Sequence, residues 1–109
     1  MSHPTLQRRF SRTQLQQILE QALIYQCACP AQVTKLVIEL VQLYDYQQGC
    51  LDSTSTDSDV HRRIAGSVRT MLPIAEECLA EILTLEGWNM QTLQMPARLQ
   101  KELMDDLGD

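Results

Sequence analysis

The sequence predicts an all-α protein: an antiparallel three-helix bundle with a short fourth C-terminal helix, its third helix kinked at Pro73. Three observations predict it. Apolar residues recur at helical spacing in three long segments, capping signals mark where those segments begin and end, and the links between them are short enough that neighbouring helices must run oppositely. At 109 residues the chain fits one domain, residues 1–109, large enough to bury about two-thirds of its unfolded surface without disulfide or metal staples.

The first helix is expected from about residue 12 to about residue 26. Leu15, Ile18, Leu19, Ala22 and Leu23 form its apolar face. Ser11 and Gln14 have capping-box spacing, in which each side chain satisfies the other residue's amide, and Phe10 can pack on Leu15 as a hydrophobic staple.

Cys27-Ala28-Cys29-Pro30 breaks this pattern from the next. Pro30 suits the first turn of a second helix, where the amide hydrogen it lacks would have no partner. That helix is expected to run to about Gln48. Val33, Val37, Ile38 and Val41 favour a strand, but Lys35, Glu39 and Gln42 fall at i, i+4 and i+7, a polar stripe that only a helix makes contiguous. Leu36, Leu40, Leu43 and Tyr44 widen the apolar face beyond what a one-sided bundle helix needs. The helix is therefore either central or part of a dimer interface, with Val37, Ile38, Val41 and Tyr44 as the candidate contact residues.

Gly49 to Ser58 is rich in Ser, Thr and Asp and reads as a loop. From Val60 an apolar set including Ile64, Val68, Met71, Ala75, Cys78, Leu79, Ile82 and Leu83 keeps helical phase across Pro73, so one helix is expected rather than two. Gly87 supplies a left-handed C-terminal cap. Trp88 to Met95 has no period and reads as a connector laying Trp88 back on the bundle. Pro96 opens the last helix, with Leu99, Leu103 and Leu107 inward and Lys101, Glu102, Asp105 and Asp106 in solvent.

Net charge is -5, which opposes non-specific attraction to nucleic acid or an anionic membrane. A recognition helix for DNA would need a basic outer face, and the second helix offers mainly Lys35. No segment approaches the ~20 apolar residues of a membrane span, and no secretory signal is visible near Arg8, Arg9 and Arg12. A cytoplasmic location follows, where the four cysteines are kept reduced.

In the expected topology the second helix carries the chain from one end of the bundle to the other and the third brings it back. Cys27, Cys29 and Cys78 then share one pole and Cys50 the other. Three thiolates suit zinc or copper(I), which are soft or borderline metals, with Glu77 or Glu81 as a fourth ligand. Cys29 at a helix N-terminus is also a redox candidate, although Glu76, Glu77 and Glu81 oppose a thiolate nearby. The simpler expectation is no cofactor, with Cys27 and Cys78 as small core residues and Cys50 as a loop thiol.

Arg8, Arg9 and Arg12 are expected at the opposite pole beside His61, Arg62 and Arg63. Helix-terminal amides plus guanidinium groups could hold an anion. The simpler expectation is that Asp57 and Asp59 neutralise this charge at the surface. Tyr25, Tyr44 and Tyr46 sit near helix ends, and the five methionines read first as gap fillers.

Neither histidine has an evident orienting partner and the carboxylates are scattered, so an acid-base enzyme is not expected. The leading expectation is a non-enzymatic helical interaction module, adaptor or regulatory, binding a protein partner and homodimeric through the second helix. The alternative is a thiol-based metal or redox protein using Cys27, Cys29 and Cys78.

Overall fold

The computed structural model describes residues 6–24, 28–53 and 58–97, and within them the chain forms three helices and no strand. Helix α1 spans Arg12–Ile24, α2 spans Ala28–Ser53 and α3 spans Ser58–Glu86. Among the described residues no helix is long and apolar enough to cross a membrane. The expected helix carrying Leu99, Leu103 and Leu107 lies outside the described residues.

Local signals set the start of α1. The amide of Ser11 donates to Gln14 Oε1 at 2.8 Å, the amide of Gln14 donates to Ser11 Oγ at 3.1 Å, and Phe10 and Leu15 are both buried in the core. This is the reciprocal capping box with its staple. Leu15, Ile18 and Ala22 are enclosed, whereas Leu23 is more than half exposed at 55%.

Helix α2 begins before Pro30, whose side chain is fully buried in the first turn, and continues past Gly49 to Ser53. The expected stop near Gln48 is corrected by tertiary contact. A glycine inside a helix costs only about 1 kcal/mol, and Gln47, buried and hydrogen-bonded at 2.6 Å to His61 Nδ1, holds this turn against α3.

Helix α3 runs unbroken through Pro73. Pro73 is exposed, so the carbonyl of Arg69, deprived of its amide partner by the proline, lies on the solvent side. The C-terminal end closes in a Schellman motif: Gly87 takes φ +84°, its amide donates to the Thr84 carbonyl, and the Trp88 amide donates to the Leu83 carbonyl. Leu83 and Trp88 are both buried, which completes the motif with its apolar contact.

Packing directions follow from cross-element contacts. His61 meets Gln47 and the Arg69 guanidinium lies 5.9 Å from the centre of the Tyr44 ring, so α2 and α3 are antiparallel. The backbones of α1 and α3 both pack on α2, and among the described residues not on each other. Helix α2 is central, which accounts for Leu40 and Tyr44 on its broad apolar face but not for Leu36 and Leu43, which are exposed.

Two polar ties hold α1 in place. Glu76 of α3, only 4% exposed, accepts hydrogen bonds from the amides of Arg9 at 2.7 Å and Phe10 at 3.1 Å. Beyond α3, Asn89 Oδ1 accepts from the amides of Gln91 and Thr92, and the turn it organises docks on α1. Gln17 Nε2 donates to the carbonyls of Thr92 and Leu93, Gln21 Nε2 donates to the Leu93 carbonyl, and Gln21 Oε1 accepts from the Met95 amide. Leu93 adopts φ +58°, an uncommon region for a side chain of its size, and is held there by burial and these bonds.

Replacing Glu76 by Ala leaves two backbone amides without their charged acceptor and should cost about 2 kcal/mol or more; Glu76→Gln, which keeps one acceptor oxygen, should cost less. Chemical denaturation checks this, and equal stability of Glu76→Ala and the native chain would refute it. Gln21→Leu removes both of its ties at nearly constant volume and should cost about 2 kcal/mol, seen as a lower urea midpoint with an unchanged slope.

Candidate functional site

The structure separates the two arginine groups that the sequence places together. Arg8 and Arg12 line a surface cleft of about 240 Å³ with Leu15, Gln16, Ile38, Val41 and Gln42, while Arg9 faces Glu77, Ala80, Glu81, Thr84 and Leu85. Because the Arg9 amide is bonded to Glu76, this end of α1 lies about 20 Å along α3 from Arg62 and Arg63, at ~1.5 Å per residue. Helix α1, with 13 residues against 26 and 29, is too short to reach the start of α3. Arg62 sits 3.6 Å from Asp59 on the surface and donates to Ser58 Oγ, an exposed pair of the neutralising kind; Asp57 lies outside the described residues.

The thiols are placed differently from either expectation. Cys29 and Cys78 are exposed and Cys50 is half-buried, so Cys78 is not a core residue. Its neighbours in sequence, Glu76 and Leu79, occupy the buried arc instead. Eighteen residues back from Gln47 is Cys29 and seventeen forward from its partner His61 is Cys78, so both lie toward one end of the antiparallel pair. Cys27 lies outside the described residues. Among those described, no three His, Cys, Asp or Glu side chains are grouped to hold a metal ion.

The residues expected at a dimer contact on α2 belong mostly to the core of the protomer. Val37 at 0%, Val41 at 7% and Tyr44 at 4% exposure are enclosed, and Ile38 is half-buried against the same cluster. The central position of α2 uses this face internally.

Apolar side chains left exposed include Leu36, Leu43 and Tyr46 on α2 and a longer row on α3. The buried arc of α3 is Ala65, Val68, Leu72, Ala75, Glu76, Leu79, Ala80 and Leu83. Val60, Met71 and Cys78, expected inward, lie on the other side with Ile74 and Leu85. Val60 is 55% exposed, Met71 42%, Ile74 67% and Leu85 86%, and Ile64 and Ile82 at the edge are half-buried. A single exposed leucine would mean little. A row of them along one side of a long helix marks a contact surface. The sequence contains its signal, since these residues recur at their own helical spacing, offset from the buried set.

No family model matches the chain, and no curated protein or solved structure does.

At nanomolar protein concentration, a fluorescent maleimide should modify Cys29 and Cys78 at similar rates and half-buried Cys50 more slowly. Peptide mapping of the labelled chain checks the order, and a slow Cys78 in dilute solution would contradict its placement on the outer side of α3.

Proposed function

We propose that this chain is a non-enzymatic helical interaction module of adaptor or regulatory type, acting in the cytoplasm through protein contact. The observation that carries this reading is the exposed apolar row of α3. Apolar area of this kind is stabilised by removal from water, at roughly 25 cal/mol per Å², and an elongated helix face presents it in the form that another helix can cover. The rest of the domain supports such a role mechanically. Helix α3 is braced along its length by α2, and its C-terminal half and the turn after it are tied to α1 and its lead-in through Glu76 and the Asn89 turn, so the row is presented on a rigid support and a partner need not order it.

A second reading, thiol chemistry or metal binding with zinc or copper, rests on the exposure of Cys29 and Cys78 toward the same end of the α2–α3 pair. It predicts a zinc complex lost in Cys29→Ser, measured by competition with a chromophoric chelator under reducing conditions.

The interaction reading is tested by placing a photo-reactive residue at position 74 or, as a control, at position 39 on the exposed polar stripe of α2. Illumination in cells should give a discrete cross-linked product from position 74 that Leu85→Glu abolishes, and none from position 39. Equal, diffuse labelling from the two positions would overturn the reading.

A further inference from the structure

The outer row of α3 has a defined period and a defined centre. Val60, Ile64, Met71, Ile74, Cys78 and Leu85 fall on one series of alternating four- and three-residue steps, with Ser67 and Glu81 at the two remaining positions. This is the spacing that keeps one helix against another over many turns. The series spans about 38 Å of helix at ~1.5 Å per residue, and its midpoint falls between Leu72 and Pro73.

Charge beside the row identifies its occupant. Arg63, beside the row, and Glu81, one of its positions, are both exposed and eighteen residues apart, five full turns at 3.6 residues per turn, so they point to the same side of the helix, at one edge of the row. Their midpoint is Leu72, about half a residue from the centre of the apolar series. A second α3 laid antiparallel about that centre stacks Val60 on Leu85, Ile64 on Glu81, Ser67 on Cys78 and Met71 on Ile74, and places Arg63 of each copy, next to Ile64, beside Glu81 of the other. A parallel copy would turn the two flanks to opposite sides of the contact, leaving Arg63 of one copy away from Glu81 of the other. The acidic half also has charge to spare: Glu77 and Glu81 share their cleft with a single guanidinium, Arg9, and Arg63 of the second copy supplies the second. Arg63 makes no ion pair among the described residues.

Resting on the reading of the chain as an interaction module, we propose that the partner covering the outer row of α3 is a second copy of this chain, docked antiparallel with Arg63 of each protomer paired to Glu81 of the other. The contact is isologous, so it closes as a dimer and does not propagate. It differs from a dimer built on Val37, Ile38, Val41 and Tyr44, because it uses the side of α3 that the protomer core leaves free.

Sedimentation equilibrium of the full chain in the micromolar range should show a monomer–dimer equilibrium, and the maleimide rate at Cys78, but not at Cys29, should fall as dimer forms. Ile74→Glu should weaken the dimer on the order of 100-fold by burying a charge at its centre. Arg63→Glu and Glu81→Arg, surface changes that leave the core intact, should each weaken it about tenfold, because symmetry turns two attractive pairs repulsive. The double variant R63E/E81R should recover to within about threefold of the native chain, since both pairs are restored with reversed sign. A dimer whose affinity the single swaps leave unchanged, or which the double swap fails to recover, overturns the antiparallel arrangement. A chain that stays monomeric throughout also overturns it; if position 74 then still cross-links to a different protein, or to the C-terminal segment carrying Leu99 and Leu103, the row is covered by that occupant instead. Monomeric behaviour together with loss of the position-74 product removes the interaction reading as well.

Discussion

The buried carboxylate of Glu76 governs how the three helices are assembled. A buried carboxylate is tolerated only when it is well hydrogen-bonded, and here the amides of Arg9 and Phe10 both donate to its Oε2. The consequence is positional. The residues that lead into α1 are attached to the C-terminal half of α3, Phe10 is set in the core, and the capping box at Ser11 starts the helix from that fixed point. At its other end α1 meets the turn after α3 through Gln17 and Gln21. A 13-residue helix with limited apolar area is thereby held in one place by directional bonds as well as by packing.

The surface of the domain follows from this arrangement. With α1 covering only part of α2, Arg8, Arg9 and Arg12 come to rest beside the middle and end of the α2–α3 pair, away from Arg62 and Arg63. Arg9 lies near Glu77 and Glu81, while Arg62 answers Asp59. Helix α2 lies between its two neighbours and uses Val37, Val41 and Tyr44 internally, while Leu36, Leu43 and Tyr46 stay exposed. Helix α3, packed on α2 along one side, keeps Val60, Met71, Ile74 and Leu85 in contact with water. That residual apolar row, with Arg63 at one edge of its N-terminal half and Glu81 on the same side of its C-terminal half, is the physical basis for reading the protein as a contact module and for choosing a second copy as its partner.

Much of the architecture was legible in local spacing. Ser11 and Gln14 form the expected reciprocal bonds, Gly87 takes the left-handed conformation, α3 continues through Pro73, and Trp88 folds back into the core. Each depends on groups within a few residues of one another. The site was far less legible. Gln17 and Gln21 look like ordinary surface residues until the Asn89 turn is laid over them, and Glu76 reads as solvated until the chain at Arg9 reaches it. Val60, Met71 and Cys78 read as inward from spacing because α3 carries two apolar series, and spacing alone does not say which of them faces α2.

The amino-acid sequence by itself determined the all-α class, the capped start of α1, the passage of α3 through Pro73 and its stop at Gly87, because periodicity and capping act through bonds between near neighbours in the chain. Only the tertiary structure decided which arc of α3 is buried, how far along α3 the N-terminal arginines lie, and which apolar side chains remain uncovered. Those outcomes depend on the rotation and axial offset of one helix against another, and both are set by long-range contacts such as Glu76 with Phe10 and His61 with Gln47, which no short window of sequence contains.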